Sequence, residues 1–587
     1  MPDQPQGSPP GQRLGDRDQR TPSAYRRPGL HPEAETVLFP ATRSGLTSPP
    51  WQPGEPPAAP RRRREALAPR AGDDPVTGNG TASPGSEGYR PPRRRTWISR
   101  GVLVAILFMQ AVLSLHLRNT AFEDEALYLY AGHMELAHFL YGTGLHGGFA
   151  SYFSGAPVLY PVLGAAADTI GGLAAARLVS LAAMLITTAL LYSLTRRLFN
   201  ERTGLCAALL FSVTEPTIFL GHLATYDAPA LCLLAFATWL IVRTAAFRYP
   251  VFLLAAPVVA LAVATKYAVA LFVPTIALLP ALAAWPRRGR LVLAYPVCFA
   301  LAVALLLLGA INRAGPVYAH GVEFTTTARF LGSTPTIMLL RDCLNWGAVP
   351  FALSVLGTVA YTIRPRTEAG ERIAPPGSRW RRAALGIVLT GTALLVPAEQ
   401  IRIHTETSLA KHIGFGLFFA APMAGAGLAR LIGDHFRRAQ VGVAVWGAAL
   451  VFGIVQADAQ YGWPNSAGFT RAFSHYLRPG AHYLVEVPEV PIYYLRGRPG
   501  AQPYQFASTY AITYEDPKGQ ALTGDAGFAA AIRGGYFRVI AYNGITTPAT
   551  DRVIARALQA SASYRLATVV LTDSSYGRIP YYIWVKR

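Results

Sequence analysis

Between Trp97 and Ala457 the chain returns repeatedly to apolar runs long enough to cross a bilayer core, which takes about 20 helical residues. Eleven such runs are legible, at 97–118, 174–195, 203–223, 226–246, 250–268, 269–286, 290–311, 346–363, 383–399, 412–433 and 439–457. A spanning segment must satisfy its backbone polar groups internally, and a helix does so within one run. The pattern therefore predicts a polytopic α-helical membrane protein. The composition agrees: 51% of residues are hydrophobic and 15% charged, with mean hydropathy +0.26.

A net charge of +21 would suit nucleic acid if it were gathered in one patch. Instead the arginines sit at alternate ends of the spans: Arg93–Arg95, Arg196, Arg197 and Arg202, Arg243 and Arg248, Arg287, Arg288 and Arg290, Arg364 and Arg366 with Arg379, Arg381 and Arg382, and Arg437 with Arg438. This is positive-inside patterning. It places the N-terminus in the cytoplasm and, with an odd number of spans, the C-terminus outside; no nucleic-acid partner is expected. Arginine outnumbers lysine and Ala and Gly are abundant, which fits a high-GC bacterial genome and a plasma-membrane location.

Residues 1–95 are rich in Pro, Gly and Arg without apolar periodicity, so a disordered cytoplasmic tail is expected. Its first apolar stretch starts too late and runs too long for a cleavable signal peptide. After residue 457 the character changes. Tyr483–Val487, Phe537–Tyr542, Ala567–Thr572 and Tyr581–Val585 read as strands and Thr550–Ser561 as a helix, so 458–587 is expected to form an extracytoplasmic α/β domain. Cys206, Cys232 and Cys298 lie in apolar spans and Cys343 in an outer loop, which gives no disulfide framework and no metal-ligand spacing.

The chemistry points to the outer face. Glu123-Asp124-Glu125 follows directly on the first span, and ionised carboxylates near lipid call for a ligand, a cation or a reaction. The first external loop, 119–173, also holds His133, Glu135, His138 and His146; Asp227 opens the fourth span and Lys266 ends the fifth. Loop 312–345 adds Glu323 and Arg329, and the loop after the ninth span adds Glu399, Arg402, His404, Glu406, Lys411 and His412. Such a face carries acids and bases for catalysis and cations for an anionic ligand. A sugar carried on a lipid phosphate would leave an anion at the membrane surface, which Lys or Arg can neutralise while a carboxylate takes the acceptor's proton. Asp124 is the candidate base, with Glu125 orienting the acceptor or raising the basicity of Asp124. Ala126, Leu127, Tyr130, Met134, Ala137, Leu140 and Tyr141 are spaced as an amphipathic helix suited to the interface.

The segments Phe122-Glu123-Asp124-Glu125-Ala126 with Tyr128, Tyr226-Asp227-Ala228-Pro229, Thr265-Lys266-Tyr267, and Lys411-His412 ahead of Pro422 together resemble the GT-C membrane glycosyltransferases of the protein O-mannosyltransferase and aminoarabinose-transferase type. The resemblance covers about residues 97–460. It implies a GT-C-like transmembrane catalytic domain at 96–457, a polyprenyl-phosphate sugar donor, inversion at the anomeric carbon, and an external acceptor that is a cell-envelope glycan, a lipid or a protein. By the same resemblance Asp124 matches the catalytic acidic residue, Asp227 the acidic residue opening the fourth span, and Lys266 and Lys411 basic positions near the donor phosphate. Arg402 and His412 join them as expected substrate contacts. No cofactor is required; a divalent cation is admissible if Asp124, Glu125 and Asp227 converge. The chain departs from many relatives in Gly155-Ala156-Pro157, where a double proline is common.

Each residue also has a plainer role open to it. Asp124 and Glu125 suit the N-terminal turn of a helix, and Asp227 before Ala228-Pro229 suits an N-cap. Lys266 can snorkel from its span, Lys411 can be a simple loop charge, and Glu323 and Arg329 can be solvated. A multi-pass lipid or glycolipid transporter or flippase is the alternative function. The absence of an evident repeat and the crowding of charge at the outer ends of the spans favour the enzyme.

Overall fold

A computed structural model of the chain describes residues 93–247, 249–329, 331–363, 379–575 and 577–587. The tail expected at 1–95 falls outside them as far as residue 92. In chain order the first helices are α1 (Arg93–Leu115), α2 (Glu123–Tyr141), α3 (Tyr160–Leu198), α4 (Glu201–Phe211), α5 (Glu215–Leu220), α6 (Asp227–Thr244), α7 (Ala255–Thr265) and α8 (Val273–Arg288). They are followed by α9 (Tyr295–Ala314), α10 (Pro316–Thr325), α11 (Thr336–Ile363), α12 (Arg379–Gly391), α13 (Leu395–Arg402), α14 (Leu409–Ile432) and α15 (Ala439–Gln460).

Nine helical segments among the described residues are long and apolar enough to cross a membrane. Two of the eleven expected spans have a different form. The stretch 203–223 divides into α4 and the short α5, separated at Ser212–Thr214, where Pro216 cannot continue a preceding helix. The stretch 250–268 is a 3₁₀ turn followed by the short α7.

The expected external loop 119–173 is largely helical. It contains α2 and the start of α3, which is interrupted at Gly171 and Gly172; Gly172 adopts φ 66°, a conformation that favours glycine. Loop 312–345 likewise holds α10 and the first turns of α11, so Cys343 is helical rather than in a loop.

One crossing positions the site. The Ala156 N–H donates to the Ala264 carbonyl and the Tyr267 N–H to the Ser154 carbonyl, both at 2.8 Å, so the loop after α2 lies across the C-terminal end of α7. A Cβ at Gly155 would stand 2.1 Å from the Thr265 carbonyl oxygen, which gives the Gly155-Ala156-Pro157 sequence a local reason. α7 stops there, and Lys266 follows in extended conformation with φ −147° and ψ 115°. At the centre stands α14. Every residue from Leu409 to Gly425 is buried, so this helix meets protein on all sides and carries Lys411 and His412 in its first turn.

After α15 come α16 (Ala467–Ser474), β1 (Tyr483–Val485), α17 (Glu489–Tyr494), β2 (Phe506–Ser508), β3 (Thr513–Glu515), β4 (Ala521–Thr523), α18 (Gly524–Arg533), β5 (Val539–Tyr542), α19 (Pro548–Gln559), β6 (Tyr564–Ser574) and β7 (Gly577–Lys586). Five strands form one sheet in the order β2-β1-β5-β7-β6, with β2, β1 and β5 parallel and β7 antiparallel to both β5 and β6. Alternation sends Tyr483 and Val485 to one face with Phe469 and Phe473, and Leu484 to the other with Phe528 and Ile554. Just past β1, the buried Glu486 carboxylate accepts the backbone N–H groups of Asn543 through Thr547, closing the turn that starts α19.

This α/β region is docked onto α2, α3 and the segment that precedes α2. The Trp463 indole donates to the Thr120 carbonyl at 2.9 Å, and the Ala121 N–H donates to the Tyr494 hydroxyl at 2.8 Å. Asp168 of α3 accepts from Tyr493 at 2.7 Å and Arg496 at 3.1 Å, with His133 of α2 at 2.6 Å. Val490 and Tyr493 complete an apolar cluster with Ala126, Leu129 and Ala176. Tyr493 is thus core at this junction, whereas Tyr504 is 77% exposed.

Gly155→Ala forces a backbone shift at the end of α7, and overpacking of this kind costs about 1–3 kcal/mol. Its thermal midpoint is expected to fall below that of Gly101→Ala, where an added Cβ meets nothing within 4 Å; equal midpoints would show that the crossing yields freely.

Candidate active site

The three carboxylates in the first turn of α2 diverge, because successive helical residues point about 100° apart. Glu125 turns inward and is fully buried. Its oxygens take Arg177 Nε and Nη2 at 2.8 and 2.7 Å, the Phe122 N–H at 2.9 Å and the Ala224 N–H at 2.7 Å. Arg177, from the outer part of the long helix α3, also donates to the carbonyls of Asn119 and Thr120 and lies over the Tyr461 ring. These partners are all internal, and through them Glu125 ties α2, α3 and the segment before α6 together.

Asp124 faces the other way. Its side chain is 28% exposed and paired with Lys411 of α14, whose ammonium also lies 5.6 Å from the centre of the Phe122 ring. A second buried pair lies close by, Lys266 Nζ to Asp227 Oδ1 at 2.7 Å, with the Thr225 hydroxyl donating to Asp227 Oδ2 at 2.9 Å. Lys266 sits 4.6 Å from the centre of the Tyr226 ring, and Tyr226 exchanges hydrogen bonds with Tyr128 at 2.6 Å and Ser154 at 2.5 Å. The four residues Asp124, Lys411, Asp227 and Lys266, spread over 287 positions of sequence, therefore form one cluster of alternating charge.

Beside it opens a cavity of about 260 Å³, walled by Tyr267, Leu271, Phe272 and Phe415 and edged by Arg329, Arg402 and His412. The His412 ring is buried and its Nε2 has no hydrogen-bond partner among the described residues. Arg402 is exposed and forms a two-pronged pair with Glu399 at 2.6 and 2.9 Å. Arg329, expected as a solvated charge, is half-buried on the cavity wall and donates to the Thr407 carbonyl. Glu323 is exposed.

Asp124, Glu125 and Asp227 each face a cation of their own, Lys411, Arg177 and Lys266, so they do not converge as a metal-ligand set. Among the described residues no group of three or more His, Cys, Asp or Glu is arranged to hold a metal ion. Sequence reasoning passed over Arg177, although a lone arginine in an apolar run is itself a signal. It also passed over Glu489 and Tyr510, which reach Glu123 from the α/β region and whose sequence gives no such sign. Tyr510 donates to Glu123 at 3.4 Å.

The comparisons with known proteins agree with this architecture. Residues 157–311 match the family model of dolichyl-phosphate-mannose-protein mannosyltransferases. The structure is similar to ArnT from Cupriavidus metallidurans in the apo state, at 15% identity and TM-score 0.51 over 84% of this chain and 98% of that one. ArnT bound to undecaprenyl phosphate gives 14% identity and TM-score 0.50 over 83% and 98%. The Archaeoglobus fulgidus oligosaccharyltransferase gives 12% identity and TM-score 0.51 over 83% and 75%. The fold is that of the GT-C membrane glycosyltransferases. A sequence search of curated proteins finds no match to the chain. Within this GT-C fold the clustered charges stand at the junction of the first outer helices with the central helix α14.

Two predictions follow from the carboxylates. Removing one partner of a buried pair costs about 3–5 kcal/mol, so Glu125→Ala, which strands Arg177, should lower the thermal midpoint sharply, while Asp124→Asn, partly exposed and still offering Lys411 an amide oxygen, changes it less. Burial, then Glu489 and Asp124, push the Glu123 carboxyl up to about 8 against the opposing influence of Tyr510 and Lys411, and burial followed by Asp124 pushes Glu489 up to about 7. A raised folded value stabilises at low pH, so this contribution is complete below the ordinary carboxylate range and is lost as pH rises through 7 to 8. Thermal midpoints measured from pH 6 to pH 9 should decline for the wild type, and Glu489→Gln should flatten that decline.

Proposed function

We propose that this protein transfers a sugar from a polyprenyl-phosphate donor to a hydroxyl-bearing acceptor at the outer face of the plasma membrane. The observation that carries the reading is the position of the Asp124–Lys411 and Asp227–Lys266 pairs beside an apolar cavity edged with cationic and imidazole side chains. A polyprenyl phosphate has the matching chemistry, with an apolar chain and an anionic head. ArnT, of the same fold, has been seen with undecaprenyl phosphate.

In this reading Asp124 takes the proton of the acceptor hydroxyl as its oxygen attacks the anomeric carbon. The bond from that carbon to the phosphate oxygen breaks, with inversion, and the electron pair leaves with the lipid phosphate. Lys411 then exchanges Asp124 for the departing phosphate, and Arg329, His412 and Arg402 line its seat; fixed cations in a partly dry site lower the barrier most where charge develops. Asp227 holds Lys266 at the break after α7, acting through that lysine. The positive-inside pattern supports an orientation with this face and the α/β region outside the cytoplasm.

Labelled-sugar transfer from a panel of polyprenyl-phosphate donors to cell-envelope acceptors tests the proposal. Asp124→Asn is expected to lose about 10²–10⁴-fold in turnover at equal expression, the usual contribution of a general base, and His412→Ala to weaken donor binding. Undiminished transfer by Asp124→Asn would remove it as the base. Movement of labelled lipid across proteoliposomes, with no transfer by any donor, would replace the enzyme with a transporter.

A further inference from the structure

A second and larger cavity, of about 460 Å³, lies between α2, the loop at 146–152 and the α/β region. Its walls are unlike those of the cavity beside His412. Leu127, Tyr130 and Met134 come from the apolar stripe of α2, on a different side from the face buried through Glu125, Tyr128, Leu129 and Gly132. Tyr152 and Tyr504 add two more phenol rings. Glu489, Gln502, Ser508 and His146 supply the polar groups, and Glu489 Oε2 is buried without a hydrogen-bond partner among the described residues.

The same wall leads to the charge cluster: Leu127 lies one turn of α2 beyond Asp124, and Tyr510, two residues past the lining residue Ser508, donates to Glu123 at 3.4 Å. The charge cluster thus has a cationic, apolar cavity on the side of His412 and an aromatic one with a single carboxyl on the side of Leu127 and Glu489. Phenol rings offer flat faces to the C–H surfaces of pyranose or furanose rings, while a carboxyl and an amide pair with hydroxyls. Among the described residues the lining includes no lysine or arginine to pair with a phosphate or carboxylate group.

We infer that this cavity is the acceptor site and that it takes an uncharged, polyhydroxylated sugar chain, whose terminal hydroxyl it presents to Asp124. The inference rests on the transfer reading above and names its acceptor class. Glu489 would take a sugar hydroxyl on its free oxygen, Gln502 a second, and Tyr504 would cover one ring. A sugar carried by a glycolipid, a polysaccharide or a glycoprotein presents the same surface, whereas an unglycosylated peptide does not.

Saturation-transfer NMR on the full chain in nanodiscs, with undecaprenyl phosphate titrated separately in the same preparation, tests the assignment. The probes are uncharged gluco-, manno-, galacto- and arabino-oligosaccharides, the same sugars bearing a phosphomonoester, glycolipids and glycopeptides carrying those sugars, and unglycosylated Ser/Thr peptides. At least one uncharged series is expected to bind, and Tyr504→Ala and Gln502→Ala are each expected to weaken it about tenfold, the scale of one ring contact or hydrogen bond. Because Tyr504 is 77% exposed, its truncation leaves the fold intact. Comparing the free sugar with its glycolipid and glycopeptide identifies the source. Preference for phosphorylated sugars or bare peptides overturns the inference, as does unchanged affinity in both variants. Binding of undecaprenyl phosphate with no binding of any uncharged sugar overturns it while leaving the donor reading in place. Sugar binding without undecaprenyl phosphate binding supports it and removes the donor reading instead.

Discussion

The buried pair between Glu125 and Arg177 is the interaction on which the outer face of this protein depends. Two charges removed from water are tolerated only when each is fully partnered, and here the carboxylate accepts four donors while the guanidinium satisfies two carbonyls besides. The geometry this enforces extends beyond the pair. It fixes the rotation of α2, and so the direction in which the neighbouring Asp124 points; it also ties the segment ahead of α6 to α3, which sets Asp227. A hydrophobic contact of equal size would hold the helices together without specifying that rotation.

The remaining charges are arranged by the same rule at lower burial. Lys411 and Lys266 each hold a carboxylate and each lie near an aromatic ring, so neither cation is stranded when its partner is engaged elsewhere. Lys266 owes its aim to backbone geometry, because the loop crossing at Gly155 ends α7 one residue earlier and leaves the lysine extended. Lys411 owes its aim to burial, since α14 is surrounded by protein and its first turn can face only inward.

The α/β region completes this outer face. Its contacts with Thr120, Ala121 and Asp168 brace the ends of α2 and α3, and α17 brings Glu489 beside Glu123. One consequence is the contrast between the two cavities. One is lined by His412, the neighbour of Lys411, and is edged by arginine; the other is lined by Leu127, one turn of α2 beyond Asp124, and by a carboxyl and tyrosines. Such a division lets an anionic and an uncharged ligand approach one reactive centre from different sides.

By itself the sequence determined that the chain is a polytopic helical membrane protein with a terminal α/β region, because span length, apolar periodicity and turn signals are local properties; the likeness to the GT-C fold came from its short motifs. It also singled out Asp124, Asp227, Lys266 and Lys411, since charged residues at the ends of apolar runs stand out whatever they touch. Tertiary structure alone decided their pairing, which joins residues such as Asp124 and Lys411 across 287 positions. It decided that Glu125 is held by Arg177, that α2 buries the face of Tyr128 and Leu129, and that 203–223 and 250–268 are broken helices. It also brought Glu489 and Tyr504 to the cavity wall. A helix's rotation and a carboxylate's partner are set by what packs against them, and a one-dimensional pattern records only that a charge or an apolar stripe is present.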